Sequence, residues 1–332
     1  MSKALVLFSG GLDSMLAVKI LQAQNVEVAG ICFTSNFFNA DKALSAAKQL
    51  KIELSTPDIS EEILALVKNP PSGYGKNMNP CVDCHAMMMR LAGQIAQEKG
   101  FDFIATGEVL GQRPFSQNKE ALLLVQKFAG IEILRPLSAK LLPETEYEKK
   151  GLVIRGRLLA VQGRQRETQM ELAKKYGITE YPSPAGGCLL TDPDFSRRLL
   201  ELIENWPDAN KDDIEILKYG RVIWLYQDNN KILAIIGRKE SDNNKLEQLV
   251  KNSDIMLKLE EIPSPTILIR SKEGFNIGES EIKIKKTEIK LSELKLNESK
   301  STDELITTAI DLLLYYTKKA PDQKLIINIY NK

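Results

Sequence analysis

The sequence predicts an α/β fold for its first part, a parallel sheet wound with helices, followed by a smaller α+β domain. Short apolar runs alternate with helix-like segments from residue 3 to about 135, which is typical of such a sheet. The composition changes near Trp206, where a region rich in Lys, Glu and Asn begins. We therefore predict a first domain at residues 1–205 and a second at 206–332.

The elements of the first domain follow from the apolar runs and the helical periodicity. Buried strands are predicted at Ala4 to Phe8, Glu27 to Phe33, Ile52 to Ser55 and Phe101 to Thr106. Helices are predicted at Leu12 to Gln24, Ala40 to Leu50 and Cys81 to Gly100, and one more begins at Ser60. The turn-rich stretch Asn69 to Pro80 is predicted to be a loop.

Length and composition are those of an ordinary soluble protein, with 332 residues, 43% hydrophobic and 27% charged. No apolar stretch approaches a membrane span, and Met1 to Phe8 is too short for a signal peptide, so we expect a cytoplasmic protein without a membrane partner. Lys plus Arg total 45 against 44 acidic residues, so contact with RNA must use local patches. One such patch is residues 149–175, which hold eight Lys or Arg and two acids.

An anion-binding loop is predicted where the first strand meets the first helix. The six residues Ser9-Gly10-Gly11-Leu12-Asp13-Ser14 occupy this junction, where backbone N–H groups and a helix N-terminus can bind phosphate. The glycines allow close approach of the backbone, the hydroxyls of Ser9 and Ser14 can donate to phosphate oxygens, and Asp13 suits Mg²⁺. The loop has no terminal Lys, so it is not a Walker A motif.

Three cysteines from two segments are predicted to form a second site. Cys81 and Cys84 lie three residues apart at a helix start, where they face the same side and where the helix dipole favours the thiolate. Cys188 follows Gly186-Gly187, which permits close approach to a cofactor. The remaining cysteine, Cys32, continues a strand pattern and is expected to be a buried apolar residue.

Three interpretations of the cysteine site remain open. Cys81, Cys84 and Cys188 could ligate a [4Fe-4S] cluster and leave one iron able to carry an extra sulfide. Cys84 could carry a persulfide that Cys188 resolves, or the cysteines could hold a structural zinc completed by His85. For His85, the single histidine of the chain, we favour a solvated helix residue.

The hexapeptide of the anion loop resembles the SGGxDS signature of PP-loop ATP pyrophosphatases, which cleave ATP to AMP and pyrophosphate by adenylylating a substrate oxygen. The resemblance implies ATP and Mg²⁺ as cofactors and an adenine nucleotide alpha hydrolase-like fold. It also places adenine beside the end of the second strand, near Cys32, Phe33 and Thr34.

Residues 1 to about 195 resemble tRNA thiouridine synthases of the same superfamily. Asn79-Pro80 with Cys84 is similar to the first cysteine segment of bacterial 2-thiouridylases, in which Cys188 would match the second cysteine. The segment Thr106 to Gln112, with Ser116-Gln117 and Leu134 to Leu137, is close to the TGExLGQ region of 4-thiouridine synthases. This match adds Thr106 and Gly107 to the expected nucleotide site.

The second domain resembles the RNA-binding domain of the NFACT family. The resemblance rests on Lys218 to Arg221, on Ile236-Gly237-Arg238 with Asn243 to Leu246, and on a helix predicted at Thr302 to Lys318. It implies tRNA contact by a domain that the known 4-thiouridine synthases do not use. A generic α+β domain with a charged surface is the alternative.

These resemblances imply an ATP-dependent tRNA sulfurtransferase. Asp13 and the anion loop would hold Mg·ATP, a uracil oxygen would be adenylylated, and sulfur at Cys81, Cys84 and Cys188 would displace AMP. A cysteine desulfurase or free sulfide would donate the sulfur, and a homodimer is compatible with the sequence. The alternatives are a PP-loop ligase or amidase acting on another substrate, and a non-catalytic RNA-binding factor.

Overall fold

The chain divides into two units, Met1–Ser196 and Arg197–Lys332. The structure is a computed structural model that describes residues 1–113, 116–183, 187–259, 262–275, 280–285, 299–317 and 324–330, without the side chains of 280–285, 324–326, 328 and 330. The division lies inside a helix, Pro193–Asn205, whose last residue is the boundary predicted from composition. The domain limits at 205 and 206 stay a prediction.

The first unit is built on a four-stranded parallel sheet, as the sequence predicts. Its strands are β1 (Lys3–Leu7), β2 (Glu27–Ile31), β3 (Leu54–Ser55) and β4 (Phe103–Thr106), in the order β3-β2-β1-β4. The carboxyl ends of parallel strands meet at one edge of a sheet, and ligands of open α/β sheets bind there. The loops after β1, β2 and β4 therefore converge on a single edge.

Helices connect and cover these strands. They are α1 (Leu12–Gln22), α2 (Asp41–Leu50), α3 (Ser60–Lys68), α4 (Cys81–Glu98), α5 (Lys119–Ala129), α6 (Glu146–Lys149), α7 (Glu167–Lys175) and α8 (Pro193–Asn205). The helices predicted at Leu12, Ala40, Ser60 and Cys81 are all present, with ends that differ by one to two residues. Within the described residues, no helix is both long enough and apolar enough to cross a membrane.

Helix α1 is almost enclosed by the core of the first unit. Its side chains Leu12, Met15, Leu16 and Leu21 are at most 1% exposed and pack with Phe8. Each such side chain contributes about 1.5–3 kcal/mol by leaving water. The burial holds the start of α1, and hence the preceding glycine loop, in a fixed position on the sheet.

The second unit contains an antiparallel sheet, which confirms the predicted α+β class. Its strands are β5 (Arg221–Gln227), β6 (Asn230–Ile236), β7 (Ile255–Leu259), β8 (Ile267–Arg270), β9 (Ser280–Lys285) and β10 (Lys324–Tyr330), in the order β5-β6-β8-β7-β10-β9. Its helices are α9 (Lys211–Ile216), α10 (Glu240–Leu249) and α11 (Thr302–Tyr316). The helix predicted at Thr302 is thus present.

Two of the segments quoted for the NFACT resemblance, those around Gly220 and Gly237, lie together at the end of the β5–β6 pair where β5 begins and β6 ends. Gly220 has φ +84°, and a Cβ there would lie 2.3 Å from the Ile236 carbonyl oxygen. A Cβ on Gly237 would lie 2.0 Å from Asn243 Oδ1, and the same oxygen accepts a hydrogen bond from Thr266 N at 3.0 Å. These glycines and Asn243 therefore have a structural role in joining the strands.

Candidate active site

The glycine loop between β1 and α1 is shaped by close backbone packing. Gly10 has φ +73°, and a Cβ there would lie 2.3 Å from the Lys42 carbonyl oxygen, so no other residue fits. Ser14 is 4% exposed, and its hydroxyl donates to the Gly11 carbonyl at 2.8 Å. Ser9 is exposed beside the start of α1. The loop thus presents a helix N-terminus, which favours an anion.

The segment after β4 lies directly on this loop. A Cβ on Gly107 would be 2.4 Å from Ser14 N and 2.6 Å from the Asp13 carbonyl carbon. Thr106 is buried, and its hydroxyl donates to Glu108 Oε2 at 3.2 Å. The structure therefore brings Thr106 and Gly107 to the anion loop, where the sequence places them.

Gly107→Ala should displace the anion loop, because its methyl group would overlap the backbone of Asp13 and Ser14. We expect a loss of about 1–3 kcal/mol in the free energy of unfolding, together with weaker nucleotide binding. Thermal unfolding with and without an ATP analogue measures both. Gly156→Ala is the control, since a Cβ there meets no atom within 4 Å; equal effects of the two variants would contradict the contact.

Among the residues that the structure describes, Asp13 makes one side-chain hydrogen bond and leaves one carboxylate oxygen without a partner. Its Oδ2 accepts from Gln112 Nε2 at 3.0 Å. Its Oδ1 is buried and has no hydrogen-bond partner among the described residues. A buried carboxylate oxygen without a partner is unfavourable and suits a cation ligand.

The two cysteine segments are joined through the loop that precedes α4. The Asn77 side chain donates to the Thr191 carbonyl at 2.8 Å, and Leu189 N donates to the Phe37 carbonyl at 3.0 Å. Asp83 accepts from Ser72 N at 2.9 Å and from its hydroxyl at 2.6 Å, which fixes that loop to the first turn of α4. Cys188 therefore lies near the helix start that carries Cys81 and Cys84.

The pKa values of the three thiols reflect this proximity and contradict the predicted thiolate form. Burial raises the pKa of Cys84, and the nearby Cys188 and Cys81 raise it further. Burial also raises the pKa of Cys188 to about 11 and that of Cys81, although the charge of Arg113 opposes the latter shift. Desolvation thus outweighs the helix dipole, and the resting cysteines are neutral thiols.

The donor types suit a metal cluster, but their arrangement does not. In the described part of the chain, which includes Cys81, Cys84 and Cys188, no three Cys, His, Asp or Glu side chains are placed to hold a metal ion together. All four cysteines are free thiols. The predicted metal-ligand set therefore lacks the convergence that a cluster or zinc requires.

His85 is not the solvated residue that the sequence suggests. Its side chain is 25% exposed, and Nδ1 lies 3.4 Å from Oε1 of Glu108. Glu108 Oε2 accepts from Nε of the buried Arg135 at 3.0 Å. This network joins the helix turn beside Cys84 to the carboxyl end of β4. Glu108 and Arg135 both lie in quoted motifs, but no local pattern indicated that they pair with each other or that Glu108 pairs with His85.

The charge state of Glu108 follows from its neighbours Arg135 and His85. Burial alone would raise its pKa, but Arg135 and then His85 lower it from 4.5 to about 2. Because the folded-state pKa is depressed, the stabilisation is complete above pH 4.5 and is lost as the pH falls toward 2.

Glu108→Gln should lower the free energy of unfolding at pH 7 by about 3–5 kcal/mol, because it leaves the Arg135 charge buried without a counter-ion. The difference from the wild type should shrink as the pH falls below 4.5 toward 2. Denaturant unfolding at a series of pH values measures this trend. A difference that is constant with pH would contradict the ion pair.

Two further predicted regions are only partly as expected. The first is the region after β2, predicted to lie beside adenine. Phe33 lies just after β2, but its side chain is 5% exposed. Cys32 packs against the core, and burial raises its pKa to about 11.

The second is the basic region 149–175. Lys149 is paired with Glu146 and Arg155 with Glu148, so these two charges are partly neutralised. Gln162 forms a parallel β-bridge with Leu110 of the TGExLGQ segment. The basic residues that follow Gln162 in the chain, beginning with Arg164, therefore start close to that segment.

Known proteins match mainly the first part of the chain. Residues 1–140 match the family model described as "Thiamine biosynthesis protein (ThiI)". Probable tRNA sulfurtransferases of Finegoldia magna and Thermococcus kodakarensis are 32% identical over 142 residues and 31% identical over 144 residues. Each alignment covers 41% of this chain and 36% of the relative, so the chain spans about a third of their length.

Two solved structures show weaker similarity. A predicted subunit of a tRNA methyltransferase from Methanocaldococcus jannaschii has a TM-score of 0.34 and 16% identity over 53% of this chain and 76% of its own. A 4-thiouridine synthetase in complex with RNA and ATP has a TM-score of 0.39 and 21% identity over 65% of this chain and 52% of its own. Within residues 1–140, the match to the ThiI family model and the sulfurtransferase matches thus confirm the resemblance to tRNA thiouridine synthases of the PP-loop class.

Proposed function

We propose that the chain is an ATP-dependent tRNA sulfurtransferase that replaces a uracil oxygen with sulfur. The observation that carries this proposal is the position of the segment 106–112. Gly107 and Gln112 contact the anion loop, while Glu108 contacts His85, the residue next to Cys84. One short segment therefore links the nucleotide loop to the thiols that would supply sulfur.

ATP is proposed to bind with its phosphates on the loop Ser9 to Ser14 and its adenine near Phe33, Thr106 and Gly107. Mg²⁺ fits Asp13, since Oδ1 is buried and has no other partner in the described residues. When bound, the cation would neutralise phosphate charge. The N-terminus of α1 stabilises the developing charge as a uracil oxygen attacks the α-phosphate and pyrophosphate leaves.

Sulfur transfer is proposed to use a persulfide on Cys84, with Cys188 as the resolving thiol. The terminal persulfide sulfur attacks the activated uracil carbon, and AMP leaves with the electron pair of the C–O bond. Cys188 then attacks Cys84 Sγ, which releases the thiolated uracil and forms a Cys84–Cys188 disulfide. An external dithiol reduces the disulfide, after which the persulfide of a cysteine desulfurase transfers its outer sulfur to Cys84. Alternatively, free sulfide attacks Cys84 Sγ of the disulfide, which forms the Cys84 persulfide directly and releases the Cys188 thiol.

The [4Fe-4S] interpretation of Cys81, Cys84 and Cys188 is retained only as the alternative that an experiment decides. The arrangement of the described donors does not support it, and no step above depends on it. The zinc interpretation is weakened because His85 faces Glu108. Visible absorption that grows after anaerobic reconstitution with iron and sulfide would favour the cluster over the persulfide.

Transfer RNA is proposed to contact the basic region 149–175 and the second unit. Arg164, Arg166, Lys174 and Lys175 would bind backbone phosphates without reading sequence, and the second unit would make RNA contacts of its own. The four free thiols suit a reducing compartment, which favours the cytoplasm. A homodimer stays a prediction.

Pyrophosphate release with and without unmodified tRNA tests the proposed activity. We expect release that requires ATP and Mg²⁺ and increases when tRNA is added. Pyrophosphate release at the same rate with and without tRNA would favour a PP-loop ligase or amidase, a class of enzyme that does not require three cysteines. Absence of any release, with tRNA binding retained, would favour a non-catalytic RNA-binding factor.

A further inference from the structure

Gln112 makes the side-chain contact that fixes the orientation of Asp13. Its amide nitrogen donates to Asp13 Oδ2 at 3.0 Å, while Asp13 Oδ1 stays buried and without a hydrogen-bond partner in the described residues. Of the two carboxylate oxygens, the described residues therefore hold Oδ2 and not Oδ1. A side chain satisfied on one side and unsatisfied on the other is oriented toward something that the protein itself does not provide.

Hydrogen bonds restrain the backbone of the two residues that precede Gln112. Gly111 has φ +75°, and its N–H donates to the Gln117 carbonyl at 2.6 Å. Leu110 donates to Ser138 Oγ at 2.9 Å and accepts from Gly163 N at 2.7 Å. The Gln112 amide therefore reaches Asp13 from a backbone whose two preceding residues, Leu110 and Gly111, are hydrogen-bonded to other segments.

We propose that Gln112 is a positioning residue that directs Asp13 Oδ1 at the divalent cation bound with the nucleotide. This inference rests on the proposed function. Donation by the amide to Oδ2 holds the carboxylate rotamer, so that Oδ1 is the oxygen that faces the cation. Groups that orient a metal ligand in this way commonly affect metal affinity strongly, although they do not touch the metal.

Binding of Mn²⁺ in the presence of α,β-methylene ATP tests this role without turnover, with free Mn²⁺ followed by electron paramagnetic resonance. Gln112→Ala should raise the Mn²⁺ dissociation constant about 10–100-fold. Gln112→Glu cannot donate to Asp13 and should also weaken binding. Gln49→Ala is the matched control, because that amide donates to the Glu180 carbonyl, and it should bind as the wild type does.

Each outcome decides between the hypotheses. Equal Mn²⁺ affinity in the wild type and Gln112→Ala would overturn the positioning role and leave the proposed function intact. Tighter binding by Gln112→Glu would also overturn it, since residue 112 would then act as a ligand. A wild-type protein that binds neither Mn²⁺ nor the ATP analogue would overturn both this role and the proposed function.

Discussion

Asp13→Asn is expected to reduce pyrophosphate release by about 10²–10³-fold at saturating ATP. The substitution keeps the shape of the side chain but removes the charge that would hold Mg²⁺ through the unpartnered Oδ1. Asp13 is only partly buried, and its side chain makes one hydrogen bond within the described part of the chain, to Gln112, so the fold should tolerate the change. Steady-state release of pyrophosphate measures the effect.

The control for this variant is Asp102→Asn. Asp102 is exposed, precedes β4, and accepts from Lys3 N at 2.7 Å, so it lies at the amino end of the strands rather than at the carboxyl edge. It should release pyrophosphate at the wild-type rate. Unchanged release by Asp13→Asn would remove the anion loop from the proposed catalysis.

Cys188→Ser is expected to separate the two half-reactions. Adenylylation depends on the anion loop, so tRNA-stimulated pyrophosphate release should persist. Thiolation should fall by at least about 10³-fold, because a serine hydroxyl cannot attack the Cys84 sulfur. Pyrophosphate and thiouridine measured in the same reaction provide an internal control for folding.

The same variant also decides whether Cys188 is the resolving thiol. Full thiolation by Cys188→Ser would exclude Cys188 as the resolving thiol.

The presence of the strands was predictable because the signals are local. Apolar runs followed by helical periodicity predict β1 with α1 and β2 with α2, and a further apolar run predicts β4; the observed parallel pairing confirms these strands. Gly10 was predictable as a loop glycine for the same reason. Its actual constraint, the Lys42 carbonyl, comes from another helix and is not visible in the sequence.

The interactions within the site were less predictable because they join distant segments. Glu108 and His85 are on different elements, and the pairing of Glu108 with Arg135 depends on how β4 and the following loop fold together. The predicted direction of the thiol pKa shift was wrong. The sequence shows that Cys81 and Cys84 lie at a helix start, which lowers a thiol pKa, but it does not show the burial that raises the pKa. Tertiary packing, rather than a local sequence pattern, determines both the pairing of Glu108 and the pKa values of the thiols.

Nucleoside mass spectrometry of an unmodified tRNA transcript, incubated with the purified protein, Mg·ATP and a sulfur donor, tests the central proposal most directly. We predict one thiouridine formed per AMP released, with none formed by Asp13→Asn or Cys188→Ser. AMP production that leaves every uridine unmodified in the presence of both cysteine desulfurase and free sulfide would contradict the union of the nucleotide loop and the thiols in one active site.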